Sequence, residues 1–374
     1  MAQTQLRPRA RATARDPLRA GRYPRHAAPP VLVDVRRGPI VESRHRGHVV
    51  QVDADGRIER GIGNPEVVVN LRSAVKPFGL LALIESGAAE AFQLSQPELA
   101  VMAASHMGED AHVRTLQAIL RRASLSQAML ACGTEGAPMD RLTAARLARD
   151  GEEAGAIRHQ CSGFHVASLL LSRHRGWSLA DYWRPEHLSQ IAVREAVGRV
   201  FGVAPNALRT SVDSCGVLTY AFPLADVARA YALLAEPSGP LAAGLIIIRN
   251  AMMEAPEMVG GTRESSDTQL MKARPGMVVA KGGAESLRAI GLLAGARGKE
   301  SAAAGLAIKI EDGDPAARAN RAVTVEALAQ LGVLDAAALD RLVNLRRPPA
   351  FDPRGVEVGQ SVASFELAPI SELA

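Results

Sequence analysis

The spacing of apolar residues changes twice along the chain. It is two near the beginning, helical through the middle, and two again late. Val31-Leu-Val-Asp-Val35 and Gly47-His-Val-Val-Gln-Val52 alternate. Asp55-Gly56 follows, a dipeptide suited to a tight hairpin because glycine accepts positive φ. Together with Arg57–Gly61 these segments predict an antiparallel meander over about 31–63. From Pro77 the pattern is helical. Ser95 is placed to cap a helix with Pro97 in its first turn. Further helical patterns cover 111–123, 140–155, 166–175, 187–202, 224–236 and 241–254. Strands return at 276–281 and 305–310, and Pro315 is placed to begin a helix over 315–331, with a shorter one at 336–345. Strands at both ends around a helical middle predict an α/β fold. Its antiparallel sheet is formed by N- and C-terminal strands, with helices packed against it.

No fixed-period repeat and no proline- or serine-rich linker divides the body. The expected organisation is an Arg-rich disordered tail over 1–29 and one catalytic domain over 30–374. The net charge of +5 supports the division. The tail holds seven arginines and one acid, which leaves the other 345 residues at −1. A nucleic-acid groove needs its positive charge on the folded body, so no nucleic-acid partner is expected. Aromatic residues are 3% of the chain, too few for base- or sugar-stacking platforms. Three cysteines cannot all pair in one chain. No apolar run approaches the roughly 18–20 residues of a membrane span. The expectation is a cytoplasmic protein without a membrane partner.

Three short patterns carry potential chemistry. In Ser73-Ala-Val-Lys76 the lysine follows the serine by one helical turn. That spacing puts two Cβ atoms about 5–6 Å apart, and a buried amine can take a serine proton. Alone, Ser-x-x-Lys is common. Lys281-Gly-Gly283 ends a strand, where glycine permits close approach of substrate. Ser105, in Ala-Ala-Ser-His-Met-Gly-Glu109, ends an apolar helix and is placed to relay a proton between the lysines. Ser-x-x-Lys early, a lone serine in the helical middle and Lys-x-Gly late is the order of the serine β-lactamase-like fold.

Longer blocks are more specific. Leu71-Arg-Ser-Ala-Val-Lys-Pro-Phe78, Glu85-Ser-Gly-Ala-Ala89, Ala103–Glu109, Cys161-Ser-Gly-Phe-His165, Val212-Asp-Ser-Cys-Gly-Val217, Thr219–Leu224 and Val279-Ala-Lys-Gly-Gly-Ala-Glu285 resemble the asparaginase II family of rhizobial type, over about 31–347. The resemblance implies a homodimeric amidohydrolase of serine β-lactamase-like fold that converts L-asparagine to L-aspartate and ammonia. It implies Ser73 with Lys76, and Ser105 with Lys281, as two Ser–Lys pairs. Ser73 is then the nucleophile, Lys76 its base, and the second pair serves the leaving nitrogen. Arg72, His165 and Asp213 match positions at the substrate, with His106 as polar support. Arg72 suits an α-carboxylate by bidentate donation and Asp213 an α-ammonium.

Two departures stand out. The family's zinc is held by two cysteines and a lysine. Cys161 and Cys215 match the cysteines, but Phe164 stands where the lysine belongs. Two thiolates and a water make a poor zinc site, so no cofactor is expected to be required; a bound zinc would need His159 or His165 to take the place of the lysine. Around 260–268 the family shows Arg-Phe where this chain has Ser265 and Ser266. The competing readings are a serine amidohydrolase acting on glutamine, a β-lactam or a D-Ala peptide, and a non-catalytic asparagine-binding protein.

Overall fold

The computed structural model describes residues 28–263 and 265–369. All but the last two residues of the expected Arg-rich tail lie outside them. Among the described residues nine strands form one antiparallel sheet. Its order is β10 (Pro349–Phe351), β11 (Glu357–Ala363), β1 (Val31–Arg37), β2 (Ile40–Asp53), β9 (Ala304–Ile310), β8 (Leu287–Leu292) and β7 (Val278–Gly283). β3 (Ile58–Ile62) pairs with β2 and with β12 (Ala368–Pro369). The first and last parts of the chain therefore build a mixed α/β architecture together. β7, which carries Lys281, is an edge of the sheet. The β2–β3 hairpin turns at Gly56, whose φ is +80°, as the Asp-Gly dipeptide predicts.

The helix Leu224–Ala235 packs across β2, β8 and β9. Its Leu224, Val227, Ala228, Tyr231 and Leu234 are buried. Burial of each large apolar side chain is worth about 1.5–3 kcal/mol. Gly305 allows the close approach, because a Cβ there would overlap the Ala228 carbonyl. Gly305→Ala is expected to push helix and sheet apart and cost about 1–3 kcal/mol. A lower urea midpoint in equilibrium denaturation checks this.

Ser95 opens the helix Gln96–Met102 in a capping box, with Glu98 accepting from Ser95 N–H at 2.8 Å. The helix expected from Pro315 begins later, at Ala319–Gln330. Ala317 has φ +52°, which breaks the helix, and the Asp314 carboxylate accepts from Arg318 N–H at 3.2 Å and Asn320 N–H at 2.8 Å. A second sheet, β4 (Val68–Asn70), β6 (Leu218–Pro223) and β5 (Arg209–Val212), was not expected. It frames the turn that holds Ser73. Among the described residues no single helix is long and apolar enough to cross a membrane.

Candidate active site

Ser73 lies in a short 3-10 turn, Arg72–Val75, that leads directly into Lys76–Gly79. The turn is fixed from three sides. Leu71 N–H donates to Tyr220 O at 2.8 Å, the Tyr231 hydroxyl donates to Ala74 O at 2.8 Å, and Arg72 N–H donates to Asn70 Oδ1 at 3.3 Å. Arg72 has φ +47°, a conformation unusual for a residue with a side chain. Such strain persists only where surrounding contacts enforce it. Gly283 is needed beside this turn, since a Cβ there would overlap the Leu71 carbonyl. β7 and the Ser73 turn are thereby brought together.

Ser105 follows Gln96–Met102. Its segment is held by Ser105 N–H to Val259 O at 3.2 Å and Met107 N–H to Gly260 O at 2.7 Å. The Ser105 hydroxyl is where the two lysines meet. Lys76 Nζ donates to Ser105 Oγ at 3.3 Å and to Ala104 O at 2.7 Å. Lys281 Nζ donates to Ser105 Oγ at 3.0 Å and to Gly282 O at 2.7 Å. The expected pairing of Ser73 with Lys76 has a different form. Among the described residues no hydrogen bond joins Ser73 to either lysine, and both amines point at Ser105.

The lysines are 2% and 0% exposed. Burial disfavours an ammonium, and the neighbouring Lys76 charge adds to it, so Lys281 is held well below the ordinary lysine range. Ser73, Ser105 and Lys281 line one cavity of about 460 Å³, together with Arg72, Asp213, Cys161, Cys215, His159, Ser265, Ser266 and Asp267. Arg72 Nε donates to Asp213 Oδ1 at 2.7 Å and its NH2 to Ser214 Oγ at 2.6 Å.

His165 does not line that cavity. It is fully buried, with Nδ1 2.7 Å from the Tyr182 hydroxyl, and burial pushes it down to about 3. His106 is also fully buried. Its Nδ1 accepts from Gly108 N–H at 3.1 Å, which leaves Nε2 to donate to Ser162 Oγ at 2.9 Å. It thus ties the Ser105 segment to the start of the helix Ser162–Arg175. His159, Asp267 and Arg288 line the cavity without belonging to either serine–lysine motif. For Asp267 and Arg288, only their position in the folded chain reveals them.

Cys161 and Cys215 do meet. Cys215 donates to Cys161, which pulls the Cys161 thiol well below the usual cysteine range and keeps the proton on Cys215. Phe164 supplies nothing to them. Its ring packs on Gly79, where a Cβ would lie 2.8 Å from Phe164 Cζ. Among the described residues no group of three or more His, Cys, Asp or Glu side chains is arranged to hold a metal. His159 stands beside the Cys161 thiol, with its Nδ1 accepting from Cys161 N–H at 3.0 Å, but the two sulfurs and this ring are not arranged as a zinc site. Cys132, outside every block, is buried and donates to Ala156 O at 3.3 Å.

The L-asparaginase II family model matches residues 33–363, most of the chain. The chain belongs to the L-asparaginase II family. That places it among asparaginase-like amidohydrolases. No curated protein matches it. Solved structures similar to it include "Mglu in its glutamate form", at 12% identity and a TM-score of 0.34, with 78% of this chain and 62% of that chain covered. Another is "Mglu", at 13% identity and a TM-score of 0.33, with 79% and 69% covered. The chain therefore spans less than two thirds of the first of these.

Proposed function

We propose that this asparaginase II family member hydrolyses L-asparagine to L-aspartate and ammonia by acyl-serine chemistry of the serine β-lactamase-like type. The observation that carries the reading is the single hydroxyl, Ser105, which lines the same cavity as Ser73 and is shared by two buried amines. Arg72 receives the α-carboxylate and Asp213 the α-ammonium. Ser73 Oγ attacks the side-chain amide carbon, and its proton enters the Lys76–Ser105–Lys281 group. That group returns a proton to the amide nitrogen as the C–N bond breaks and ammonia leaves. Water then attacks the ester carbon, the Ser73 Oγ–carbon bond breaks, and the hydroxyl recovers its proton from the same group. A lysine whose ammonium form burial disfavours suits the accepting role.

The direct test is ammonia release by the purified protein from asparagine and from glutamine. Release from asparagine is expected, and its absence overturns the reading. Because Phe164 stands in place of a ligand and, among the described residues, the groups around Cys161 and Cys215 are not arranged to hold a metal, no step is routed through one. Prolonged chelation is expected to leave the rate unchanged, and added zinc is expected not to raise it. A rate that falls on chelation and returns with zinc contradicts this.

A further inference from the structure

Asp267 stands in the first turn of the helix Ser266–Ala273 and is 7% exposed. Two of its contacts reach β7, the strand that carries Lys281, and a third reaches Arg288 on β8. Oδ2 accepts from Gly282 N–H at 3.0 Å. The same oxygen lies 3.6 Å from Lys281 Nζ. Oδ1 accepts from the Arg288 guanidinium, whose Nε donates to Asn320 Oδ1 at 3.3 Å. On the other side of residue 282 the carbonyl accepts from Lys281 Nζ at 2.7 Å. Asp267 therefore holds, through its N–H, the residue whose carbonyl oxygen aims the amine.

The strand needs such a grip. β7 is a sheet edge, so one of its sides has no partner strand. Gly282 and Gly283 have no side chains to anchor it. At Gly282 a Cβ would come within 2.9 Å of Arg288 NH1, so the arginine lies directly under the strand.

We propose that Asp267 is a positioning residue for amide hydrolysis, holding the Gly282 peptide and the Lys281 amine so that the amine meets the Ser105 hydroxyl. The inference rests on reading the site as a Ser–Lys hydrolase. Misplacing a reacting group by about 1 Å can cost 10²-fold in rate. The charged groups around Lys281 are Lys76 after the Ser73 turn, Cys161 before the helix Ser162–Arg175, Asp213 beyond β5, Asp267 itself and Arg288 on β8. Asp267 is the carboxylate within ion-pair distance, and Arg288 offsets its charge.

Two variants and two readouts test this. Asp267→Asn keeps an acceptor for Gly282 N–H but removes the negative charge. Its kcat on asparagine is expected to fall by about 10²-fold with KM little changed. Asp267→Ala, which keeps no acceptor, is expected to fall further. The second readout is the titration of Lys281 itself, followed by NMR of ¹³Cε-labelled lysine and assigned with Lys281→Met. Losing the carboxylate makes the ammonium less favourable, so Asp267→Asn is expected to move the Lys281 titration to lower pH. Arg288→Met leaves the carboxylate uncompensated and is expected to move it to higher pH. A residue that only stabilises the fold would lower Tm and shift neither titration in this paired way. Unchanged titrations in both variants, or unchanged kcat in Asp267→Ala, overturn the proposal. If the wild type releases no ammonia, the hydrolase reading fails instead, while the paired NMR shifts still decide what Asp267 does to Lys281.

Discussion

Ser73→Ala is expected to abolish ammonia release from asparagine, lowering kcat by roughly 10⁴–10⁶-fold, as removal of a serine nucleophile does elsewhere. The folded state should scarcely notice. The Ser73 hydroxyl has no hydrogen bond to either lysine, so its removal leaves neither amine short of a partner. Substitutions that break no such contact change stability by about 0.5 kcal/mol or less. Ser105→Ala makes the contrast. It removes the oxygen that both buried amines use, so it should lower Tm as well as activity. Calorimetry and an ammonia assay on the two variants separate the roles, and mass spectrometry of acid-quenched enzyme locates the acyl group. Retained turnover in Ser73→Ala, with an acyl adduct on Ser105, would reverse the assignment.

Lys281→Met is expected to lose about 10²–10⁴-fold in kcat, the usual worth of a proton-transfer group, yet to gain stability at neutral pH. The amine is fully buried, and burial together with the Lys76 charge holds it well below its ordinary value. An unfolded lysine titrates near about 10.4. Between the depressed folded value and that point, the unfolded chain holds a proton that the folded chain lacks. Unfolding is thereby favoured at neutral pH, and wild-type stability gains from this group as pH rises through the window. Methionine has no such term. The stability difference between variant and wild type should therefore be largest near neutrality and shrink in alkali. Denaturation midpoints measured from neutral to alkaline pH check it. A variant no more stable than wild type at any pH would contradict the account of Lys281.

Much of the fold was legible because period and punctuation agreed. The 31–63 meander, the capped helix after Ser95 and the strand at Lys281 each combine an apolar pattern with a clear boundary residue. The second sheet was not. β5 is a four-residue strand with three exposed positions, so no alternation marks it. β10 and β12 are shorter still. The site was legible where chemistry has a spacing, as in Ser73-Ala-Val-Lys76, but hydrogen-bond partners have no spacing. Nothing in the sequence indicates that Lys76 turns to Ser105, since that depends on how Gln96–Met102 packs. Nor does it show His165 facing Tyr182, because most of the helix Ser162–Arg175 and the turn after it separate the two, which meet only in the core.

The ion pair between Arg72 and Asp213 has a consequence for selectivity. Their side chains are 20% and 8% exposed, and each satisfies the other. A guest must exchange that pairing for contacts of its own. An amide bearing both an α-carboxylate and an α-ammonium can repay both partners. Succinamic acid or 3-aminopropanamide can engage only one, leaving the other sheltered from water with its counter-charge drawn away. Discrimination would then come from the free protein being content as it is, so that singly charged analogues are turned away by what they fail to replace.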